Sequence, residues 1–284
     1  MMQKHAYLIL AHADVPLLET LVRCLDDVRN DIFIHWDAKS GPVPSIKALE
    51  SRLCFLNERI KVNWAGFSMV QAEFLLLKKA YENGPYDYYH LLSGADLPIK
   101  SQDYIHGECE RMKGTEFIAF AEAAKSELDY RVQHYFPFPE EFKGAGFLKR
   151  AIRRIYVKAQ DLVGYKRTDA AIRKGSQWFS VTQGFVEYLL SKEAEVEKLF
   201  NHTFCPDELF IQTLCVNSPF NEKVRKSESE FDGNLRYIKW VDGTLLPITL
   251  EDLPELKASD RWFARKLSGK DQSLVKAIIE MVNG

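Results

Sequence analysis

Four short apolar runs organise the first half of the chain: Ala6 to Ala11, Asp31 to Ile34, Arg59 to Val62 and Tyr86 to Leu92. Between them, Leu17 to Val28 and Met69 to Ala80 repeat apolar residues every three or four positions, the spacing of an amphipathic helix. Strand-like runs alternating with helical ones predict βαβ units and a parallel sheet. Each run also ends in small or polar residues. His12 follows the first, His35, Trp36 and Asp37 the second, Asn63 to Ser68 the third, and Ser93 to Asp96 the fourth. Ligands of open α/β sheets bind beyond the carboxyl ends of the strands, so these clusters are expected to meet at one crevice. Taken singly, each reads as a strand-end turn; the coincidence of four points to a site.

What the crevice binds is narrowed by what is missing. No GxGxxG follows the first strand and no GxxxxGK[ST] occurs, which argues against a dinucleotide cofactor and against P-loop phosphoryl transfer. Asp37 suits hydrogen bonds from a base or ribose, and Ser68 opens a helix whose N-terminus suits an anion.

After Ala119 the pattern breaks into DYRVQHYFPFPEEFKGAGF, which has too many turn formers for one regular element. A long irregular insertion in an enzyme reads as a lid or acceptor-binding loop, and Arg131, His134 and Tyr135 are its polyol-bonding candidates. Packing of the loop over the sheet is the equal alternative. FLKRAIRRIYVK (147–158) then places Leu148, Ala151, Ile152, Ile155 and Tyr156 on one helical face with Lys149, Arg150, Arg153 and Arg154 largely opposite. Such a helix suits peripheral contact with an anionic membrane surface, or is an ordinary solvated helix.

GSQWFSVT, Gly175 to Thr182, reads as a strand in which Gly175 and Ser176 allow close approach of a ligand, while Trp178 reads as core. FCPDELFIQT sets Asp207 and Glu208 at a helix start: Pro206 suits the first turn and both acids suit the positive dipole end. An ordered carboxylate at a pocket edge is the functional reading, and a common acidic first turn the plain one. RYIKW, Arg236 to Trp240, is a further strand-like run. SDRWFARKLSG crowds Arg261, Arg265 and Lys266 among aromatics, as a diphosphate partner would require.

Composition limits these options. A chain of 284 residues can bury a full core and is read as one α/β domain, with a nucleotide-binding half (1–122) and an acceptor-binding and catalytic half (123–284). A formal net charge of −2 gives no general attraction to nucleic acid, so none is expected as a partner. Five cysteines, odd in number and without a CxxC pair, suit reduced core thiols in a cytosolic protein. No charged leader with a cleavage site precedes the first run, and no apolar stretch reaches the ~20 residues of a membrane span.

The segments AYLILAH, FIHWDAKS, VNWAGFSMVQAE, HLLSGADLPIKS, GSQWFSVT, CPDELFIQT, RYIKW and WFARK, in that order between residues 6 and 266, resemble the core-2/I-branching β-1,6-N-acetylglucosaminyltransferase family. That family, glycosyltransferase family 14, also contains the peptide O-xylosyltransferases. The resemblance implies a GT-A-type fold with a Rossmann-like mixed, mainly parallel sheet flanked by helices. It also implies an inverting mechanism, a UDP-linked donor, and a glycan or lipid-linked acceptor.

Under that resemblance Glu208 looks like the catalytic base. Arg236 with Lys266 looks like the pair that neutralises the donor diphosphate without a metal, SGADLP offering only Asp96 where a DxD motif would stand. Together the residues and the resemblance give donor-side candidates His12, Asp37, Lys39, Trp64, Gly66, Ser68, Asp96, Ser176, Arg236, Arg265 and Lys266. Acceptor-side candidates are Arg131, His134, Tyr135, Trp178 and Asp207, the last as the cap that orients Glu208. Transfer of N-acetylglucosamine is the first expectation. A xylosyl- or glucosyltransferase of the same fold and an inactive nucleotide-sugar-binding protein are the alternatives. Familiar animal members are Golgi proteins with a membrane anchor and disulfides. Neither is read here, so the expectation is a cytoplasmic enzyme, peripheral on the inner face of the membrane at most, that builds a surface polysaccharide or glycolipid.

Overall fold

The computed structural model describes residues 3–227, 232–242 and 244–283. Its elements in chain order are β1 (His5–Ala11), α1 (Val15–Leu25), β2 (Asn30–Trp36), β3 (Arg52–Phe55), α2 (Ser68–Tyr81), β4 (Tyr88–Ser93), β5 (Asp96–Pro98), α3 (Gln102–Arg111), β6 (Phe117–Ala121), α4 (Lys125–Val132) and α5 (Phe147–Leu162). They continue with β7 (Lys174–Thr182), α6 (Gln183–Ser191), α7 (Glu193–Phe200), α8 (Phe210–Val216), β8 (Arg236–Ile238), β9 (Trp240–Val241), β10 (Thr244–Leu245), α9 (Leu253–Ala258), β11 (Phe263–Arg265) and α10 (Gln272–Asn283).

The main sheet runs β3-β2-β1-β4-β7-β6. β1, β2, β3 and β4 are parallel, and β7 lies antiparallel to both β4 and β6. The parallel part is what the alternating pattern predicts, and the mixed, mainly parallel sheet is the one the resemblance implies. Both faces are covered, which is why β1 is apolar from Ala6 to Ala11. Ala6, Leu8 and Leu10 pack with α2, α6 and α8, whereas Tyr7, Ile9 and Ala11 pack with α1, α3 and α10. Burial of each large apolar side chain contributes roughly 1.5–3 kcal/mol.

One expected strand is displaced. Arg59 to Val62 forms no strand, and the edge position belongs to Arg52–Phe55, paired parallel with β2. That edge strand is half-exposed and opens with an arginine, so its apolar signal is weak. The Arg59 segment instead closes off the sheet's carboxyl edge. The Arg59 guanidinium donates to the carbonyls of Trp36 (2.8 Å), Asp37 (2.8 Å) and Gly41 (2.7 Å), and Ile60 N donates to His35 Nε2 (2.9 Å).

Two features aim the second half at the crevice. Because β7 opposes β4, with His90 beside Ser180 and Tyr88 beside Thr182, the earlier residues Ser176 to Trp178 lie toward the carboxyl end of β4. A small side sheet, β5-β11-β8, pairs Arg265 with Asp96 just beyond the same strand end. Gly175 allows a close approach, but the neighbour is protein: a Cβ there would run into the Ala119 carbonyl of β6, beside a register shift between Ile118 and Phe120.

Candidate active site

The carboxyl ends of β1, β2 and β4 do converge, joined there by the amino-terminal half of the antiparallel β7. A cavity of about 560 Å³ is lined by His12, Asp37, Lys39, Trp64, Glu140, Lys143 and Lys266 among others. It shares His12, Asp37, Val62 and Met69 with a smaller recess of about 120 Å³ that reaches Ser93, Gln177, Trp178 and Arg265. The larger part has the size of small-ligand sites, roughly 300–1,000 Å³.

Asp37 is buried at the end of β2, where its Oδ1 accepts from Lys39 N (2.7 Å). Lys39 Nζ reaches the Val62 carbonyl and Asn63 Oδ1, 3.3 Å away. Trp64 is exposed at the rim with its ring edge on Phe204 (5.9 Å between centroids). Arg265 lies over the Trp178 ring (4.3 Å) and pairs with Asp96 (2.9 Å). Asp96 also accepts from Ser93 N (2.8 Å) and Ser93 Oγ (2.7 Å). It is buried and its oxygens already carry donors, so Asp96 positions Arg265 and is not itself presented to a sugar. Ser176 is likewise buried, and its Oγ faces Trp178 N (3.3 Å).

Four expectations change here. The N-terminus of α2 does face an anion, but one supplied by the protein. Glu140 accepts from Ser68 N (3.0 Å), Ser68 Oγ and Asn63 Nδ2 (3.1 Å). A Cβ at Gly66 would strike that same carboxylate, so Gly66 and Ser68 accommodate Glu140 and are closed to a ligand.

Arg236 is not a crevice residue. It is buried, and it donates to the carbonyls of Phe179 (2.7 Å), Leu91 (3.3 Å) and Asn234 and to Ser180 Oγ (3.0 Å), with Phe263 against its face (4.6 Å). A strand-like RYIKW gives no sign that its first residue points between the two sheets. Lys266 does line the crevice, and among the described residues its ammonium and that of Lys143 have no partner. Lys143 and Glu140 escape the sequence reading because they sit in the irregular insertion. Its EEFK charge cluster is the only local signal.

His134 and Tyr135 are engaged under α5. His134 Nε2 lies 2.8 Å from Asp161 Oδ1, and Tyr135 stacks on His202 at 3.9 Å with its hydroxyl on His202 Nε2 (2.9 Å). Arg131 is buried and acts as a clamp. It donates to the carbonyls of Phe204 (3.2 Å) and Cys205 (2.8 Å), to Glu127 (3.4 Å) and to Glu208 Oε2 (3.0 Å).

The acidic pair occupies a 3-10 turn, Pro206–Glu208, ahead of the short α8, and not a first α-helical turn. Cys205 enters it at φ 48, and Cys205 N bonds the Ala65 carbonyl (3.1 Å), which ties the turn to the crevice rim. The turn packs on β7 and α2. Its two acids diverge. Glu208 is partly exposed, with Arg131 as its partner. Asp207 caps nothing: Oδ1 is buried without a partner, and burial followed by the Glu208 charge pushes its pKa up to about 7. Beneath it Glu73 is buried, bonded to Gln177 Nε2 (2.7 Å), and raised well above the usual range by burial and then by Asp207.

One other cluster lies outside the crevice. His5, His90 and Cys109 are buried with ligand-type atoms within 4.8 Å of one another. His90 bonds Ser180 Oγ (2.7 Å) and His5 Nδ1 (3.1 Å).

A family model described as Core-2/I-Branching enzyme matches residues 5–261. Among curated proteins the chain is 25% identical over 304 residues to beta-1,3-galactosyl-O-glycosyl-glycoprotein beta-1,6-N-acetylglucosaminyltransferase 4 of Mus musculus, covering 97% of this chain and 64% of that protein. It is 23% identical to xylosyltransferase 2 of Rattus norvegicus, covering 83% of this chain and 26% of that protein. The chain therefore spans less than two thirds of either relative's length. Among solved structures, apo mouse xyloside xylosyltransferase 1 aligns over 77% of this chain and 83% of its own, at 9% identity and a TM-score of 0.33.

Proposed function

The chain belongs to the core-2/I-branching enzyme family, and from that premise we propose that it is an inverting glycosyltransferase moving N-acetylglucosamine from a UDP-linked donor to a hydroxyl of a glycan or lipid-linked acceptor. The observation that carries the reading is the strand-end crevice. Its charged side chains without a partner, among the described residues, are the cations Lys143 and Lys266, and the turn bearing Glu208 is tied to its rim.

In this reading Asp37 receives the nucleoside and Trp64 covers it, while Lys266 and Lys143 neutralise the diphosphate. Glu208 takes the proton of the acceptor hydroxyl as that oxygen attacks the anomeric carbon and the diphosphate departs. The Arg131 clamp fixes the Glu208 carboxylate, so less orientational freedom is lost on reaching the transition state. Unpaired lysines suit a leaving group that gains charge as the glycosidic bond breaks. A metal-free reaction fits this donor set, because Asp96 is committed to Arg265 and Ser93, and Glu140 to the start of α2.

The test is a thermal-shift and donor-hydrolysis screen of UDP, UDP-GlcNAc, UDP-xylose, UDP-glucose and UDP-galactose, with Mn²⁺ and with EDTA. Stabilisation by UDP and turnover of UDP-GlcNAc in EDTA are expected. Failure of every uridine nucleotide to bind overturns the reading, turnover of UDP-xylose alone replaces the donor, and a strict Mn²⁺ requirement removes the metal-free step.

A further inference from the structure

Helix α5 is inside out for a helix of a globular protein. The side facing the rest of the molecule is polar: Lys149 pairs with Glu141 (2.7 Å), and Arg153 lies over the Phe142 ring (4.4 Å) and donates to the carbonyls of Phe138 and Glu141. Further along, Gln160 bonds both N and O of Tyr135. The opposite side is apolar and bare. Phe147 is 81% exposed, Leu148 70%, Ile155 69% and Leu162 87%, and Val163 just past the helix end is 79% exposed. Solvated helices show the reverse arrangement, and a contiguous bare apolar stripe marks a surface that meets something.

Along one edge of the stripe stand Arg150, Arg154 and Lys158, spaced i, i+4, i+8 on a single ridge. Among the described residues none of the three has a partner, in a chain whose formal net charge is −2. Positive charge is thus concentrated beside the stripe. These long side chains can lay their methylenes along apolar surface while their charges reach outward.

We propose that α5 is an interfacial membrane-docking helix, its stripe of Phe147, Leu148, Ile155 and Leu162 set in the acyl boundary of an anionic bilayer and Arg150, Arg154 and Lys158 among the headgroups. A second copy is a poorer occupant, because antiparallel pairing of two stripes would set the cationic ridges against each other. The surface serves the crevice directly. The loop that α5 grips through Lys149 and Arg153 is the one that carries Glu140 and Lys143 into it.

The test is co-sedimentation of the full chain with phosphatidylcholine vesicles, with and without phosphatidylglycerol. The wild type is expected to pellet with the anionic vesicles and to release as salt rises. Replacing Arg150, Arg154 and Lys158 together by Ser should lower vesicle affinity about 100-fold and abolish the preference for phosphatidylglycerol. Replacing Leu148, Ile155 and Leu162 by Ser should release the protein even at low salt. Both variants change exposed residues only, so unchanged circular dichroism and an unchanged thermal shift with UDP are expected, which separates loss of docking from loss of fold or donor binding. Three outcomes overturn the proposal: wild type left in the supernatant, equal affinity for both vesicle types, or a vesicle-free dimer that the Leu148→Ser and Ile155→Ser substitutions dissolve.

Discussion

The crevice has two walls of different construction. On the strand-end wall, Asp37, Arg265 and Trp178 are held by backbone donors, by one another and, for Arg265, by the buried Asp96 behind it. On the loop wall, Glu140 and Lys143 come from an irregular segment, with the 3-10 turn of Glu208 tied to the rim, and these are held by a few long-range contacts such as Glu140 to Ser68 and Arg131 to Glu208. The strand ends supply a recess of paired groups, and the crevice's two unpaired cations among the described residues come one from each side, Lys143 from the insertion and Lys266 from just past β11. Strand-borne and loop-borne side chains thus line adjoining recesses with different anchoring.

The sharpest break in that comparison is expected on the loop wall. Glu208→Gln should lower kcat about 10²–10⁴-fold while UDP affinity, read by calorimetry, stays within a few-fold. Equal loss of both would remove Glu208 from the role of base. The next effect separates the two cations first paired as diphosphate ligands. Arg236→Ala strips the partner from several buried acceptors and should cost about 1–3 kcal/mol of stability for each acceptor left unpaired, read in denaturant melts. Lys266→Ala should leave the melt unchanged and weaken UDP binding roughly tenfold or more.

A third prediction concerns pH. The pKa of Asp207 rises from 3.8 unfolded to about 7 folded, so between these values the folded chain keeps a proton that the unfolded chain has lost. Stability on this account is full at low pH and declines as pH rises toward 7. Asp207→Asn should therefore stabilise the protein at pH 8 by about 1–3 kcal/mol and have little effect near pH 4, measured by melting across the range. Buried His5 and His90, with His106 stacked on His5 (3.8 Å), have the opposite sign. Burial lowers all three, so their contribution is lost as pH falls below 6.5, for His106 down to about 4. The smallest effect belongs to Glu140→Gln. Relief of its charge beside the lysines should tighten UDP roughly two- to fivefold, and weaker binding would show that Glu140 holds the loop wall in place.

The patterning of the chain determined the central parallel strands β1, β2 and β4 but not the edge strand β3, because strands buried on both faces are mostly apolar, the helices between them show one apolar side, and a half-exposed edge strand shows neither. It also determined that His12, Asp37, Ser93 and their neighbours share an edge, since parallel strands joined by helices all end on the same side. The order of the motifs carried the family, now matched over residues 5–261.

Local sequence did not determine which way a polar side chain points once it is there. Arg236 and Lys266 look equivalent as basic residues flanking short strands. One is drawn between the two sheets by unpaired carbonyls and the other is left at the crevice, a difference set by packing between segments far apart in the chain. The same holds for Asp207 and Glu208, adjacent acids parted by a 3-10 turn. It holds again for α5, whose periodicity marks an apolar face without saying whether that face turns inward or out. Hydrophobic spacing fixes which residues lie together, but the direction they face follows from the elements that pack on either side, and that only the tertiary structure decides.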